Sequence, residues 1–450
     1  MEQDRYTLTY RAAKAHQVMD WIKAGQSGCL IGLRGAGKSN FLRFLLRNDV
    51  RQHYLGHKHS DFLFVLVNLL SLAEHAEWAI YESILDRLVD QLRLSEVEGR
   101  SVEKITSLHW DVIRSRNPLI GRRAVERCMD ILCQQLAQRI VLLFDEFDTV
   151  FQTLDPSTFR CLRAIRDAHK GQVSYIVVTT NDLAHLRDDL SKVDHFYRLV
   201  SRNVCDLGLY AEVDARQMMR YLASERSTEL SVGDTTSLIK LSGGHAGLLK
   251  ATLSLLWNTR YGGNLEKLVP AINDEPAIQA ECKKVWQSLS KSEQTALCDL
   301  VGGAQADPQT LRRLKLKGLV RESQAQFSLF SLVFEDFVHQ QAPPSSIGTV
   351  ISRSPRIVQI EGQHIKGLSE LEFETLCYFY KRKGEVCTKD ELIENVYHQQ
   401  YDRRGGGIDD ARLQTLISRL REKIEPNRRR PRYIITIRGE GYKFVEPGEQ

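Results

Sequence analysis

A glycine-rich segment near the start of the chain carries residues whose types and spacing suit phosphate chemistry. Residues 32–39 read GLRGAGKS, which matches the pattern G-x-x-x-x-G-K-S. The glycines let the backbone curl so that its N–H groups point at phosphate oxygens, and Lys38 supplies positive charge for the β- and γ-phosphates. The hydroxyl of Ser39 is a suitable ligand for Mg²⁺. The predicted phosphate contacts are Gly32, Gly35, Gly37, Lys38, Ser39 and Asn40.

Two acidic residues follow an apolar run about 105 residues further along the chain. The run RIVLLFDE, from Arg139 to Glu146, predicts a buried strand that ends in two carboxylates. We expect Asp145 to hold Mg²⁺ through water, and Glu146 to orient or deprotonate the water that attacks the γ-phosphate. Such a string alone is often only a strand that ends in a polar loop. Together with the glycine-rich segment it indicates nucleotide hydrolysis.

These motifs need a scaffold that brings strand ends together. Apolar runs predict strands at 29–31, 62–68, 140–144, 174–180 and about 203–208, and helical stretches such as 76–93 and 121–138 alternate with them. The alternation predicts a parallel α/β sheet, in which phosphate sites lie at the carboxyl ends of strands. The glycine-rich segment has this context, because a short strand precedes it and a helix follows it.

The segments GLRGAGKS, RIVLLFDE and YIVVTTN (residues 175–181) together resemble the nucleotide-binding core of STAND and AAA+ ATPases. The resemblance implies ATP or ADP with Mg²⁺ as ligands. It also implies a polar residue that contacts the γ-phosphate or the attacking water, for which Asn181 is the first candidate and Thr180 the second. Asn181 equally suits the N-cap of a following helix. An arginine finger supplied across a subunit boundary is further implied, from Arg202 or Arg198, although both also suit surface positions.

Beyond residue 210 the pattern becomes helical. The run LSGGHAGLL, residues 241–249, resembles the small helical lid of these ATPases, with Ala246 where the family has Pro. His245 and Lys250 are candidates for contacting the nucleotide from the lid, and a packed or turn-capping role is the alternative for His245. Residues 277–340 resemble a small winged helix that latches the nucleotide domain. We expect its basic residues to pack against nearby acids.

The C-terminal part of the chain carries an excess of positive charge. Residues 411–443 contain ten Lys/Arg and three Glu, a net charge of +7, whereas the whole chain has a formal charge of +5. Leu413, Ile417, Leu420 and Ile424 are spaced to form one apolar stripe on a helix. A basic helix followed by a basic loop and a hairpin is typical of a nucleic-acid contact.

This region resembles the OmpR/PhoB-type winged-helix DNA-binding domain. The resemblance rests on LSELEFETLCYF (368–379), KRKGEVCTKDELIENVY (381–397), ISRLREKI (417–424) and IITIRGEGY (434–442). It implies double-stranded DNA as a partner, read by a recognition helix in the major groove and a wing near phosphates or the minor groove. Leu416 stands where the family often has a basic or polar residue. The implied DNA contacts are Arg412, Thr415, Ser418, Arg419 and Arg421 on the helix, and Thr436 and Arg438 on the wing.

Length and composition set the outer bounds. The 450 residues suffice for several domains, and we predict a nucleotide-binding core at 1–208, a lid at 209–275, a winged-helix latch at 276–341, a linker at 342–349 and a DNA-binding domain at 350–450. The nine cysteines form no C-x-x-C pair, which favours reduced thiols. No apolar run is long enough for a membrane span and the N-terminus lacks a signal peptide's apolar core, so we expect a bacterial cytoplasmic protein.

The combination predicts a multidomain α/β and α+β protein in which a nucleotide controls DNA binding. The expected function is a slowly hydrolysing ATP switch that regulates transcription, with a nucleotide-dependent homo-oligomer and a signal protein as further partners. Three alternatives stay open: an initiator-like or transposition-associated ATPase that assembles on DNA, a defence sensor of the NOD-like type, and a nucleotide-binding scaffold that does not hydrolyse.

Overall fold

The structure is a computed structural model that describes residues 6–94, 99–258, 272, 275–302, 306–323, 326–341, 349–353, 356–360, 363–397, 410–425, 431–437 and 439–445. The chain divides into two compact units. The first comprises Met1–Ala296 and Ala306–Phe337, and the second comprises Leu297–Gln305 and Val338–Gln450. Among the described residues, no helix is both long and apolar enough to cross a membrane.

A five-stranded parallel sheet lies at the centre of the first unit. Its strands are β1 (Gly28–Ile31), β2 (Phe62–Asn68), β3 (Arg139–Asp145), β4 (Val173–Thr179) and β5 (Val204–Asp206), in the order β2-β3-β4-β1-β5. Every residue of β4 is buried, as expected for an interior strand of a parallel sheet. Ile31 pairs with Thr179 on one side and Asp206 on the other, so these strands end together at one edge. The predicted parallel α/β core is confirmed.

Nine α-helices of the described residues connect or flank these strands. They are α1 (Ala12–Lys23), α2 (Lys38–Leu46), α3 (Asn48–Leu55), α4 (Glu77–Arg93), α5 (Gly99–Ser115), α6 (Pro118–Asp130), α7 (Phe147–Thr153), α8 (Pro156–Ala168) and α9 (Asp194–Val200). Asn117 and Asp155 cap α6 and α8 by accepting backbone N–H groups, and each is followed by a proline at the first helical position. The expected helical stretch at 121–138 corresponds to α6, which begins three residues earlier, at Pro118.

The rest of the first unit is mostly helical, and the predicted latch also includes described residues of the second unit, at 297–302 and 338–341. The lid contains α10 (Glu212–Glu225), α11 (Val232–Ser242) and α12 (Ala246–Asn258). The latch contains α13 (Pro276–Gln287), α14 (Lys291–Val301), α15 (Pro308–Leu316), β6 (Val320–Ser323), β7 (Gln326–Leu329) and α16 (Leu332–Gln341). Gly243 has a φ of 62°, and a Cβ atom there would lie 1.9 Å from the carbonyl oxygen of Phe330. Only glycine allows the lid to approach the latch backbone so closely.

The second unit contains the C-terminal winged helix. Its elements are β8 (Thr349–Arg353), β9 (Arg356–Ile360), β10 (Gln363–His364), α17 (Glu370–Lys381), β11 (Val386–Thr388), α18 (Lys389–Tyr397), α19 (Asp410–Ile424), β12 (Ile434–Ile437) and β13 (Gly441–Phe444). The sheets have the orders β10-β9-β8 and β11-β13-β12. The predicted stripe on α19 is buried, and Leu416 joins it. The predicted fold class is confirmed, while the five-part division of the chain stays a prediction.

Candidate functional site

The glycine-rich segment forms the turn between β1 and α2. Gly35 and Gly37 have φ values of 76° and 88°, which side-chain-bearing residues rarely adopt. Lys38 begins α2 and is buried, and its ammonium group donates to the carbonyl oxygen of Gly32 and to the hydroxyl of Thr180, both at 2.9 Å. Ser39 and Asn40 follow in the first helical turn and are half-buried. The predicted phosphate contacts therefore lie together, at the N-terminus of a helix whose dipole favours an anion.

Asp145 and Glu146 lie at the carboxyl end of β3. Asp145 is buried, and its Oδ1 accepts the backbone N–H of Glu146 at 3.0 Å. Glu146 has a φ of 56°, an uncommon left-handed conformation for a residue other than glycine. Phe147 holds this turn in place, because its ring packs against those of Phe151 and Phe159 in the core. A strained turn fixed by packing is typical of a functional position.

Lys38 and the acids share one electrostatic environment. Burial lowers the pKa of Lys38, and the carboxylates of Glu146, Asp148 and Asp145 oppose that decrease. Burial raises the pKa of Glu146, and Lys38 opposes that increase. A carboxylate with a raised pKa is a better proton acceptor at neutral pH than an ordinary one. A buried carboxylate, a half-buried hydroxyl and a buried ammonium at a helix N-terminus are a donor set that fits nucleotide phosphates with Mg²⁺.

Asp148 is a site residue that the sequence interpretation did not identify. Its carboxylate accepts the backbone N–H of Thr180 at 2.9 and 3.0 Å and that of Asn181 at 3.3 Å. It thereby ties the end of β4 to α7, the helix that follows Glu146. The only sequence signal was an acid two residues after Glu146 in DEFD, and such an acid is commonly exposed.

Arg11 and Tyr210 are buried residues that contact the glycine-rich turn, and Arg11 also contacts the chain after β5. The guanidinium of Arg11 donates to the carbonyl oxygens of Ala36 and Gly208, each at 3.0 Å, and to that of Leu207. Arg11 also lies 4.7 Å from the ring centroid of Tyr210. A Cβ atom on Gly37 would lie 2.5 Å from the Tyr210 hydroxyl oxygen. Contacts from residues far apart in the chain therefore hold the turn in shape.

The lid contacts the glycine-rich turn directly. His245 is fully buried; its Nε2 lies 2.8 Å from the carbonyl oxygen of Arg34, and its Nδ1 accepts the N–H of Leu248 at 3.2 Å. The second bond assigns the ring proton to Nε2, which donates to Arg34. The N–H of Gly247 also donates to the carbonyl oxygen of Gly35 at 2.9 Å. His245 therefore caps the first turn of α12, which was one of its two expected roles. It also contacts the glycine-rich turn, called the phosphate loop below.

The other candidates around the nucleotide site lie further away or on the surface. Arg202 is exposed in the turn before β5, and its neighbour Asn203 bonds Ser27 and Cys29 at the amino end of β1. Arg202 thus lies at the edge of the sheet opposite the phosphate loop of its own chain. Arg198 is exposed and pairs with Asp194 at 2.8 Å. Lys250 is exposed on α12.

Helix α19 presents the predicted DNA-contacting residues. Arg412, Thr415 and Arg419 are exposed and Ser418 is half-buried. The hydroxyl of Thr415 donates to the carbonyl oxygen of Ala411 at 2.8 Å. These side chains lie away from the buried stripe. Arg438 and the basic run at 428–430 lie outside the described residues.

Arg421 and Thr436 connect the helix to the hairpin. The guanidinium of Arg421 donates to the carbonyl oxygen of Ile434, with a distance of 3.0 Å from Nε, and to the hydroxyl of Thr436 at 2.9 Å. The buried carboxylate of Glu425 accepts the N–H groups of Arg432, Tyr433 and Ile434 at 2.6–3.2 Å. The side chain of Arg421 therefore holds the β12–β13 hairpin against α19. Glu425 also holds this hairpin, a role that the charge count alone did not reveal.

Comparison with protein families gives two matches. The family described as Novel STAND NTPase 1 matches residues 2–342. The family described as Transcriptional regulatory protein, C terminal, matches residues 362–444. The two matches follow one another along the chain and correspond to the nucleotide site and the basic winged helix.

Individual relatives resemble one part of the chain or the other. The alkaline phosphatase synthesis transcriptional regulatory protein PhoP of Bacillus subtilis is 46% identical over 80 residues, which is 18% of this chain and 31% of PhoP. The response regulator GtcR of Aneurinibacillus migulanus is 33% identical over 102 residues, which is 22% of this chain and 40% of GtcR. The chain thus spans well under half the length of these curated relatives.

Solved structures are similar over the same two parts. A Walker-type ATPase of Pyrococcus abyssi matches with a TM-score of 0.48 and 14% identity, over 73% of this chain and 95% of its own. The DNA-binding domain of Klebsiella pneumoniae RstA, solved in complex with the RstA box, matches with a TM-score of 0.19 and 31% identity, over 22% of this chain and 90% of its own.

Proposed function

Because the chain belongs to the Novel STAND NTPase 1 family and ends in a transcription-regulator DNA-binding domain, we propose that it is an ATP-dependent switch that controls transcription. The N-terminal site binds ATP or ADP and hydrolyses ATP slowly. The C-terminal winged helix binds double-stranded DNA. The nucleotide state determines whether the chain, as a homo-oligomer, occupies its DNA sites.

Each residue of the nucleotide site has a role in this proposal. The N–H groups of the turn from Gly32 to Gly37 and the ammonium of Lys38 bind the phosphates. Glu146 orients the attacking water and accepts its proton, which its raised pKa supports. Ser39 and Asp145 would hold Mg²⁺, which supplies positive charge to the β- and γ-phosphates when bound. Asn181, with Thr180 as the alternative, contacts the γ-phosphate. Arg202, exposed at the opposite sheet edge, serves a neighbouring copy of the chain.

The lid supports a switch more than a motor. His245 and Gly247 hydrogen-bond the carbonyl groups of the phosphate loop itself, so a change in the loop changes what the lid can contact. A switch requires a ligand that interacts differently with two conformations, and the γ-phosphate provides that difference between ATP and ADP.

The DNA-binding part of the proposal rests on α19 and its hairpin. Arg412, Thr415, Ser418 and Arg419 lie on the side of α19 away from the core, where they face the major groove. Arg421 and Thr436 set the angle of the hairpin, and Arg438 contacts phosphates or the minor groove. In this proposal the exposed residues of α19 read bases, whereas the residues of the hairpin position the domain on the DNA.

The observation that carries the proposal is the grouping of Lys38, Asp145 and Glu146 at one sheet edge in a chain that also carries the basic winged helix. The purified full chain tests it directly. We expect saturable binding of ATP and ADP, phosphate release on a minutes timescale, and selection of a defined sequence from random DNA. Lys38→Ala should remove nucleotide binding. Long, sequence-independent coverage of DNA would contradict the regulator and favour an ATPase that assembles on DNA.

A further inference from the structure

The side chain of Asn181 is bound at both ends by the latch. Its Nδ2 donates to the carbonyl oxygen of Ser288, between α13 and α14, at 3.2 Å. Its Oδ1 accepts from the ammonium of Lys317, at the end of α15, at 2.8 Å. Its backbone N–H is held by Asp148. The amide is planar, so these bonds fix its orientation as well as its position.

Lys317 is itself held in place by Glu293. The two side chains are 16% and 4% exposed, and the ammonium lies 2.8 Å from Oε1 and 3.0 Å from Oε2 of the carboxylate. Burial by itself would raise the pKa of Glu293, but its bonds with Lys317 and Ser290 hold that pKa below the usual value. Glu293 is thus ionised and neutralises Lys317. With its charge offset by Glu293, the Lys317 ammonium is held where it donates to the amide oxygen of Asn181.

Helix geometry makes this arrangement specific to Lys317. Gly318 follows it with a φ of 73° and ends α15 by donating to the carbonyl oxygen of Lys315. Lys315, two residues earlier, instead pairs with Glu322 at 2.5 Å and is more exposed. The two lysines of the LKLKG sequence therefore have different partners, and only Lys317 contacts the nucleotide core.

We propose that Lys317 and Glu293 are positioning residues that hold Asn181 in an orientation compatible with ADP and opposed to ATP. The proposal rests on the assigned role of Asn181 at the γ-phosphate. In this proposal Asn181 turns its amide away from Ser288 and Lys317 to contact a γ-phosphate, whereas a diphosphate requires no such change. ATP binding is therefore coupled to release of the latch, and the latch in turn lowers the affinity for ATP.

The test compares affinities for ADP and for β,γ-imido-ATP, each with Mg²⁺, by equilibrium titration of the full chain. Lys317→Met should strengthen binding of β,γ-imido-ATP about tenfold, within the usual range of such couplings, and change ADP binding by less than about twofold. Lys317→Arg should restore the original ratio of affinities. Lys315→Met is the matched control, because it removes a lysine from the same helix and should leave the ratio unchanged.

Two further variants separate the proposal from a general loss of packing. Lys317→Met leaves Glu293 buried without its partner, so Lys317→Met with Glu293→Gln removes both charges and should show the same shift in the ratio. In an Asn181→Ala background the effect of Lys317→Met should disappear, because the Lys317–Glu293 pair, here called the clamp, acts only through Asn181. A purely structural role would give the same effect in both backgrounds.

The outcomes distinguish this proposal from the proposed function. If the wild-type chain binds neither nucleotide, the proposed function and the clamp are both overturned. If it binds both nucleotides through Lys38 but Lys317→Met leaves the ratio unchanged, only the clamp is overturned. If Lys317→Met weakens β,γ-imido-ATP selectively, Lys317 is a phosphate ligand and the clamp is equally overturned.

Discussion

Glu146 combines a backbone conformation, a packed neighbourhood and a raised pKa that together suit a general base. Its left-handed backbone places it directly after β3, the rings around Phe147 fix the turn, and burial raises its pKa. Each feature alone has structural explanations. Together, beside Lys38 and Asp145, they make Glu146 the best candidate for the general base.

Glu146→Gln should therefore slow hydrolysis and preserve binding. Glutamine has nearly the same shape but accepts no proton, so we expect phosphate release to fall by a factor of about 10² to 10⁴ with the ATP affinity almost unchanged. Phosphate-release kinetics and equilibrium titration measure the two effects. Glu126→Gln, which affects a surface ion pair with Arg122, is the control. Unchanged turnover in Glu146→Gln would remove Glu146 from the mechanism.

Arg419 and Arg421 should differ in their effect on DNA binding. Arg419 is exposed, and Arg419→Ala should weaken binding to the selected sequence by about 1–3 kcal/mol while affecting random DNA less. Arg421 bonds the hairpin, so Arg421→Ala should lower the thermal stability of the DNA-binding domain and weaken both DNAs alike. Titrations with the selected and a scrambled duplex separate the two. An equal loss on both duplexes for Arg419→Ala would make it a phosphate contact.

Residues in contiguous motifs were predictable, and residues that act across long separations were not. Lys38, Ser39, Asp145 and Glu146 were identified because the spacing within each motif is fixed by a strand, a turn and a helix. Asp148, Lys317 and Glu425 were missed because each acts on backbone or side chains brought close only by folding. Lys315 and Lys317 of the basic run pair with acids, as expected, but the sequence held no sign that Asn181 also contacts Lys317.

At the scale of elements, the turn between β1 and α2 depends on contacts from three directions. Arg11 bonds the turn from α1's N-terminus, Tyr210 and His245 contact it from the lid, and Thr180, directly after β4, contacts Lys38. The alternation of strands and helices predicted the sheet and the place of this turn. The alternation could not predict the contacts that hold this turn, because they depend on tertiary packing rather than on local periodicity.

Gly37→Ala should disrupt this turn. Gly37 has a φ of 88°, and the new methyl group would lie 2.5 Å from the Tyr210 hydroxyl oxygen. We expect nucleotide affinity to fall at least about tenfold, since left-handed backbone alone costs about 1–2 kcal/mol for alanine and the clash adds to it. Gly56→Ala is the control: its φ is 64°, but nothing lies within 4 Å of its added methyl group. Nucleotide affinity should be unaffected there, and an equal loss in both variants would assign the effect to general destabilisation.

The lid should make stability depend on pH through His245. Burial lowers the pKa of His245, so the folded chain keeps the ring neutral where the unfolded chain takes up a proton. Stability is therefore lost as the pH falls below about 6.5, the usual histidine pKa. Calorimetric unfolding midpoints between pH 5 and 8 should fall less steeply for His245→Gln than for the wild type. The exposed His57→Gln should keep the wild-type slope, and a wild-type slope in His245→Gln would contradict this origin.

At the scale of the whole molecule, the chain joins a nucleotide site and a DNA-binding surface that belong to separate compact units. The sequence predicted both parts because each carries several spaced motifs, and the family matches cover them in turn. We propose that nucleotide binding and DNA binding are coupled, through the latch contacts of Lys317 and the lid contacts of His245.

The affinity of the full chain for its selected DNA sequence, measured in different nucleotide states, tests this coupling. With Mg²⁺ and β,γ-imido-ATP we expect binding about tenfold tighter than with ADP, and Lys38→Ala should show the same affinity under both conditions. Lys317→Met should reduce the amount of β,γ-imido-ATP needed for tight binding. Equal DNA affinity of the wild-type chain with both nucleotides would rule out the coupling, even if nucleotide binding and DNA binding were each confirmed.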